Sequence, residues 1–133
     1  MSQKKRELRD NLNQLISITV EKKQRLQAVL NLTKMQSSAI EQNDMNLLTG
    51  YIKEKQRHID AMDGLDTEFS SLYDQDIKTE LNSGNFTNRD SEEAQLFQKL
   101  QTQISQVQDT VKKIYYIEKA NSHKAREVMD DLK

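Results

Sequence analysis

A chain of 133 residues with no Cys, Trp or Pro, 35% hydrophobic and 31% charged, is one domain's worth of sequence. It has too little apolar material for a thick globular core and no means of disulfide or thiolate chemistry. A net charge of −1 gives no bulk field toward nucleic acid or a membrane surface, and no apolar run approaches the ~18 residues that a bilayer crossing takes.

The basic start MSQKKRELRDNL lacks an apolar stretch behind it, so it does not read as a secretory leader and a cytoplasmic location is expected. The Asn31-Leu32-Thr33 and Asn85-Phe86-Thr87 sequons are then chance matches. Charge is uneven along the chain. Residues 1–30 hold seven Lys/Arg against three Asp/Glu, a net +4. Residues 60–80 hold seven Asp/Glu against Lys78, a net −6. Each is first of all a solvated helix face; Lys4, Lys5 and Arg6 have Glu7 and Asp10 close behind.

The first element is a helix over about residues 3–42. Leu8, Leu12, Leu15, Leu26, Val29 and Ile40 recur at alternating three- and four-residue steps. Thr19, Lys22, Thr33 and Gln36 occupy the missing steps, and Ile16, Ile18, Leu30, Leu32 and Met35 widen the stripe. At ~1.5 Å per residue it runs roughly 60 Å, so it requires neighbours of similar length. Asn43-Asp44 interrupts it with no proline and no loop. Asn and Asp compete with helical backbone and favour caps, so a tight turn is expected there.

A second helix over about residues 44–74 follows, with Leu48, Ile52, Lys55, Ile59, Met62, Phe69 and Tyr73 on its stripe. A connection this short makes the two helices antiparallel neighbours. Gly64 suggests a bend or a close crossing, and Asp76–Leu81 an extra short turn. Residues 82–89, NSGNFTNR, form the loop. Asp90 is the expected N-cap of a third helix over about 91–130, with Glu93 in the capping-box position. That helix carries Leu100, Ile104, Val107, Val111 and Ile114, flanked by Leu96, Phe97, Tyr115 and Ile117. Beyond Ile117 the stripe thins to Ala120, Ala125, Val128 and Leu132. The fold class is all-α: a helical hairpin plus a long C-terminal helix, an elongated, coiled-coil-like three-helix bundle.

Site chemistry is sparse. His58 and His123 lie far apart without a partner at ligand spacing, so no metal is expected. Asp60, Asp63 and Asp66 around Gly64 fail the calcium-loop template, since the first ligand would be Ile59 and the twelfth Ser70. There is no phosphate loop or nucleophile elbow. Neither catalysis nor a cofactor is expected.

What remains is apolar surface on long helices, which suits helix-in-groove recognition of another protein. Leu100 to Val111 reads as packing. From Ile114 to Leu132 the apolar residues read as a binding strip, because Lys22, Lys23, Gln24 and Arg25 are the expected neighbours there.

The stretch AIEQNDMNLLTGYIKEKQRHIDAMDGLDTEF, residues 39–69, resembles the FlgN-type flagellar export chaperones. The likeness rests on a long first helix, the polar turn Asn43-Asp44 with Leu47 and Leu48 behind it, the Lys53-Glu54-Lys55 step, and Ile59, Met62 and Leu65. It implies a non-enzymatic cytoplasmic escort for the two hook–filament junction proteins, delivering their C-terminal segments to the type III export apparatus. It also implies cargo contact on the C-terminal helix from Ile104 to Val128. The cargo-binding residues expected are thus Ile104, Val107, Val111, Ile114, Tyr115, Ile117 and Val128. A structural coiled-coil or adaptor protein that self-associates through the same stripes is the competing reading; a weak homodimer is compatible with either. Partners are proteins, with no nucleic acid and no membrane insertion.

Overall fold

The computed structural model describes residues 2–82 and 90–131. Residues 83–89 of the expected loop, the Asn85-Phe86-Thr87 triplet and Leu132 lie outside the described residues. Three long helices dominate: α1 (Ser2–Glu41), α2 (Met45–Leu72) and α4 (Glu92–Asp131). A π-helical turn, Tyr73–Ile77, carries α2 into the short α3 (Lys78–Asn82). There is no strand among the described residues, and the fold is an all-α helical bundle.

Asn43 and Asp44 join α1 to α2 by serving both helix ends. The Asn43 N–H donates to the Ile40 carbonyl at 3.1 Å, and the Asp44 N–H to the Ala39 carbonyl at 2.9 Å. These two bonds make the Schellman closure of a helix. It needs a left-handed residue, and Asn43 supplies it with φ 54°; Asn is one of the few side chains that tolerate this region. Asp44 then opens α2. Its Oδ1 accepts from the Leu47 N–H at 3.1 Å, and its carbonyl accepts from the Leu48 N–H at 3.1 Å.

Two local expectations are corrected. The N-cap of α4 is Ser91, whose hydroxyl accepts from the Ala94 N–H at 3.1 Å, rather than Asp90. Glu92 and Glu93 thereby fall in the first turn, where the helix dipole favours acids. Gly64 marks no close crossing: α2 runs through it, and a Cβ placed there would meet nothing within 4 Å.

The chain divides into two compact units, Met1–Lys23 with Asp63–Val107 and Gln24–Met62 with Gln108–Lys133. In the first, an apolar cluster of Leu8, Leu12, Leu15, Ile16, Ile77 and Leu100 is packed by Phe69, Leu72, Tyr73, Leu81 and Ile104, among others. Leu12, Leu15, Ile77 and Leu100 are fully buried. Phe69, Tyr73, Ile77 and Leu81 recur every fourth residue. In an α-helix that spacing drifts ~40° per step. The wider π turn absorbs the drift, so Tyr73, Ile77 and Leu81 all reach the core. Polar pairs set the helix directions: Gln14 with Glu68 and Lys22 with Asp66 (2.6 Å) for antiparallel α1 and α2; Arg9 with Glu93 (3.4 Å) and Lys23 with Gln106 for parallel α1 and α4.

In the second unit the apolar core is Leu26, Val29, Leu30, Leu32, Ala39, Ile40, Met62 and Ile114, with Thr33 and Asn121 buried among them. Asn121 is bonded on both ends of its amide. Its Nδ2 donates to the Thr33 carbonyl at 3.0 Å, and its Oδ1 accepts from the Ser37 hydroxyl. The Thr33 hydroxyl donates back to the Val29 carbonyl at 2.7 Å. A buried amide satisfied at one register and stranded at others specifies that register. Lys55 adds a second fastening. Its ammonium, on a side chain 12% exposed, reaches both Gln36 of α1 (2.8 Å) and Glu118 of α4.

Urea unfolding checks this account. Asp44→Ala should cost about 1 kcal/mol, the usual value of an N-cap. Asn43→Val should cost roughly 1–2 kcal/mol through its left-handed φ, while Asn43→Gly stays near wild type. Gly64→Ala should stabilise by about 0.5–1 kcal/mol. Asn121→Ala, losing two buried hydrogen bonds, should destabilise by roughly 1–3 kcal/mol.

Candidate functional site

Every seventh residue of α4 from Glu93 forms a ladder: Glu93, Leu100, Val107, Ile114 and Asn121, all buried, then Val128, half-buried. A seven-residue repeat holds one seam of a helix against its neighbours. Of the seven residues expected to bind cargo, the ladder therefore takes Val107 and Ile114 into the interior. Ile104 packs on the core of the first unit. Ile117 and Val128 are half-buried. Val111 is 45% and Tyr115 60% exposed.

Val111 and Tyr115 stand four residues apart and so are neighbours on one helix face. Tyr116, which the sequence reading passed over, is 69% exposed. Its ring meets Tyr115 edge to face, with centroids 5.9 Å apart and planes at 68°. The outcome is an exposed apolar strip on α4 within the second unit. Lys112, Lys113 and Lys119 are exposed around it, with Asp109. Tyr and Lys have an apolar body and a polar tip, so such a strip stays wetted while offering flat area to a partner. Its signal in the sequence is weak: Val111, Tyr115 and Tyr116 fall off the seven-residue ladder, but so does the half-buried Ile117.

The premise that Lys22 to Arg25 leave α4 uncovered from Ile114 onward is corrected. Lys22 and Lys23 engage Asp66 and Gln106, and Arg25 Nη1 donates to His58 Nδ1 at 3.4 Å. The residues of α1 that meet the later part of α4 are Thr33 and Ser37, at Asn121, and Glu41, at Lys124.

No helix of the described residues is long and apolar enough to cross a membrane. Neither the curated proteins nor the solved structures contain a match to this chain. The family model described as FlgN protein matches residues 1–131. That match spans all three long helices, the Asn43-Asp44 corner and the exposed strip, and the chain belongs to the FlgN family of flagellar export chaperones.

Proposed function

We propose that this chain is a cytoplasmic escort for the hook–filament junction proteins. It holds their C-terminal helical segments on α4 and hands them to the type III export apparatus. The observation that carries this reading is the solvent-facing strip of Val111, Tyr115 and Tyr116, on a helix whose other apolar seam is already used. Family membership supplies the flagellar context. Ile117 and Val128 extend the contact where a cargo helix presses between α4 and its neighbours, and Ile114 holds α4 to the core of its unit beneath the strip.

An amphipathic cargo segment places anchors at three- and four-residue steps against such a strip. It folds as it binds, and that ordering consumes part of the contact energy. An affinity on the order of micromolar, or ~8 kcal/mol, follows, which suits a cargo that is later released.

Surface substitutions test this more cleanly than truncation. Removing residues 104–133 would strip Ile114 and Asn121 from the second unit and disturb its fold. Val111→Asp with Tyr115→Asp should weaken capture of a junction protein's C-terminal segment by at least about tenfold, or ~1.4 kcal/mol, with helicity and urea midpoint nearly unchanged. Lys5→Gln should change it little. Undiminished titration binding by the double variant would overturn the assignment. A tight oligomer that light scattering finds independent of concentration, and that the same double variant dissolves, would favour the self-associating scaffold instead.

A further inference from the structure

The side of α2 that faces α4 carries apolar residues that the fold leaves open. Lys55 marks the middle of the inward face of α2, since it reaches Gln36 of α1 and Glu118 of α4. His58, three residues on, turns toward α1 and meets Arg25. Ile52 and Ile59, three residues before and four after Lys55, lie about 60° and 40° round the helix on the other side from His58. That is the side of α4. Ile52 is 49% exposed and Ile59 is half-buried.

The same construction orients α4. Asn121 and Lys124 face α1 through Thr33, Ser37 and Glu41, and Glu118 faces α2. Val111 lies on the line of Glu118, and Tyr115 and Ser122 lie on the next line round, away from α1. The α2–α4 groove of the second unit thus has Ile52 and Ile59 on one wall and Val111 and Tyr115 on the other. The two helices are antiparallel, with Lys55 level with Glu118. Ile59 therefore stands near the level of Tyr115, and Ile52 near that of Ser122, whose short exposed side chain leaves it open.

Charge says what fills the groove. The next line of α4, between Tyr115 and Tyr116, is Lys112, Lys119 and Arg126, seven residues apart and all exposed. None of the three forms an ion pair among the described residues. Asp109 and Asp130 lie further round, on the side away from α2. The outer line of α2 beside Ile52 and Ile59 is Thr49 and Gln56, both uncharged, and Lys53 and Asp60 beyond them offset one another. The basic edge is local, since the whole chain carries −1. We propose that the cargo helix lies in the α2–α4 groove, its apolar face between Ile52 and Tyr115 and its Asp or Glu side chains on the flank toward Lys112 and Lys119. This placement rests on the cargo reading and adds to it a second wall and a preference for acidic helices.

The test titrates the full chain with a junction protein's C-terminal segment and with two designed amphipathic helices of equal length, Leu/Glu and Leu/Lys. Ile52→Gln should weaken binding of the segment and of the Leu/Glu helix roughly fivefold. Lys112→Gln with Lys119→Gln should cost a similar factor at low salt, and nearly nothing at ~1 M salt, where charges are screened within ~3 Å. Lys53→Gln with Arg57→Gln makes the same charge change on the outer face of α2 and should leave binding within about twofold. The Leu/Glu helix should bind at least about tenfold more tightly than Leu/Lys. All five substituted side chains are exposed, so the variants keep the fold. Segment binding that falls with Val111→Asp and Tyr115→Asp but ignores Ile52→Gln would overturn this placement and leave the cargo reading standing. So would equal losses from the two charge pairs, or a Leu/Lys helix that binds as well as Leu/Glu. Ile52-dependent binding of Leu/Glu with no binding of the segment would uphold the groove and its charge preference and defeat the cargo reading.

Discussion

The turn at Asn43 and Asp44 is the constraint on which the rest depends. A helix of 40 residues with apolar side chains on two faces cannot stand alone in water. The cheapest cover is the next stretch of the same chain, folded straight back, since a short connection loses little closure entropy. Such a connection leaves no residues for separate stop and start signals. Asn43 takes the left-handed conformation that ends α1. Asp44 completes that closure with its N–H and begins α2 with its carboxylate. Because only Gln42, Asn43 and Asp44 separate the helices, the antiparallel pairing of Gln36 with Lys55 and of Arg25 with His58 follows from chain geometry.

Both units have a buried apolar core, and the second adds buried polar fastenings. The first relies on fully buried leucine and isoleucine, each worth ~1.5–3 kcal/mol of transfer energy. The second has a buried amide, a buried threonine and the Lys55 fork. Net gains there are nearer ~1 kcal/mol per hydrogen bond, and exposed pairs such as Lys124 with Glu41 add ~0–1. These polar fastenings set where α4 sits, over an apolar core of Leu26, Val29, Leu30, Leu32, Ile40, Met62 and Ile114.

Much of this was legible from residue spacing. Leu8, Leu12 and Leu15 recur at the helical period and are buried, and Asp44 is a cap because its carboxylate reaches the next turn's N–H. Periodicity gives the direction of a stripe but not how wide a cover the neighbours provide. Ile114 therefore reads as a binding residue although the chain buries it, as it does Val107, which only the resemblance placed at the cargo; Tyr116, off the stripe, reads as nothing. The Ser91 cap could not be separated from Asp90, since both types cap well. The π turn is invisible to a period of 3.6, because its purpose is to break that period for the sake of Ile77.

Lys55 shows how a diffuse likeness acquires a physical cause. The Lys53-Glu54-Lys55 step carries part of the resemblance to the family, yet only Lys55 is drawn inward; Lys53 and Glu54 are exposed. Its long stem buries while its ammonium remains bonded to Gln36 and Glu118. That fork ties α2 to both other helices three residues beyond the exposed Ile52 and three residues, on α4, beyond Tyr115. It keeps the backbone under the tyrosine strip from yielding while the side chains above stay open to solvent. On the proposed reading, a backbone held in place beneath exposed aromatic rings lowers the ordering cost of capture.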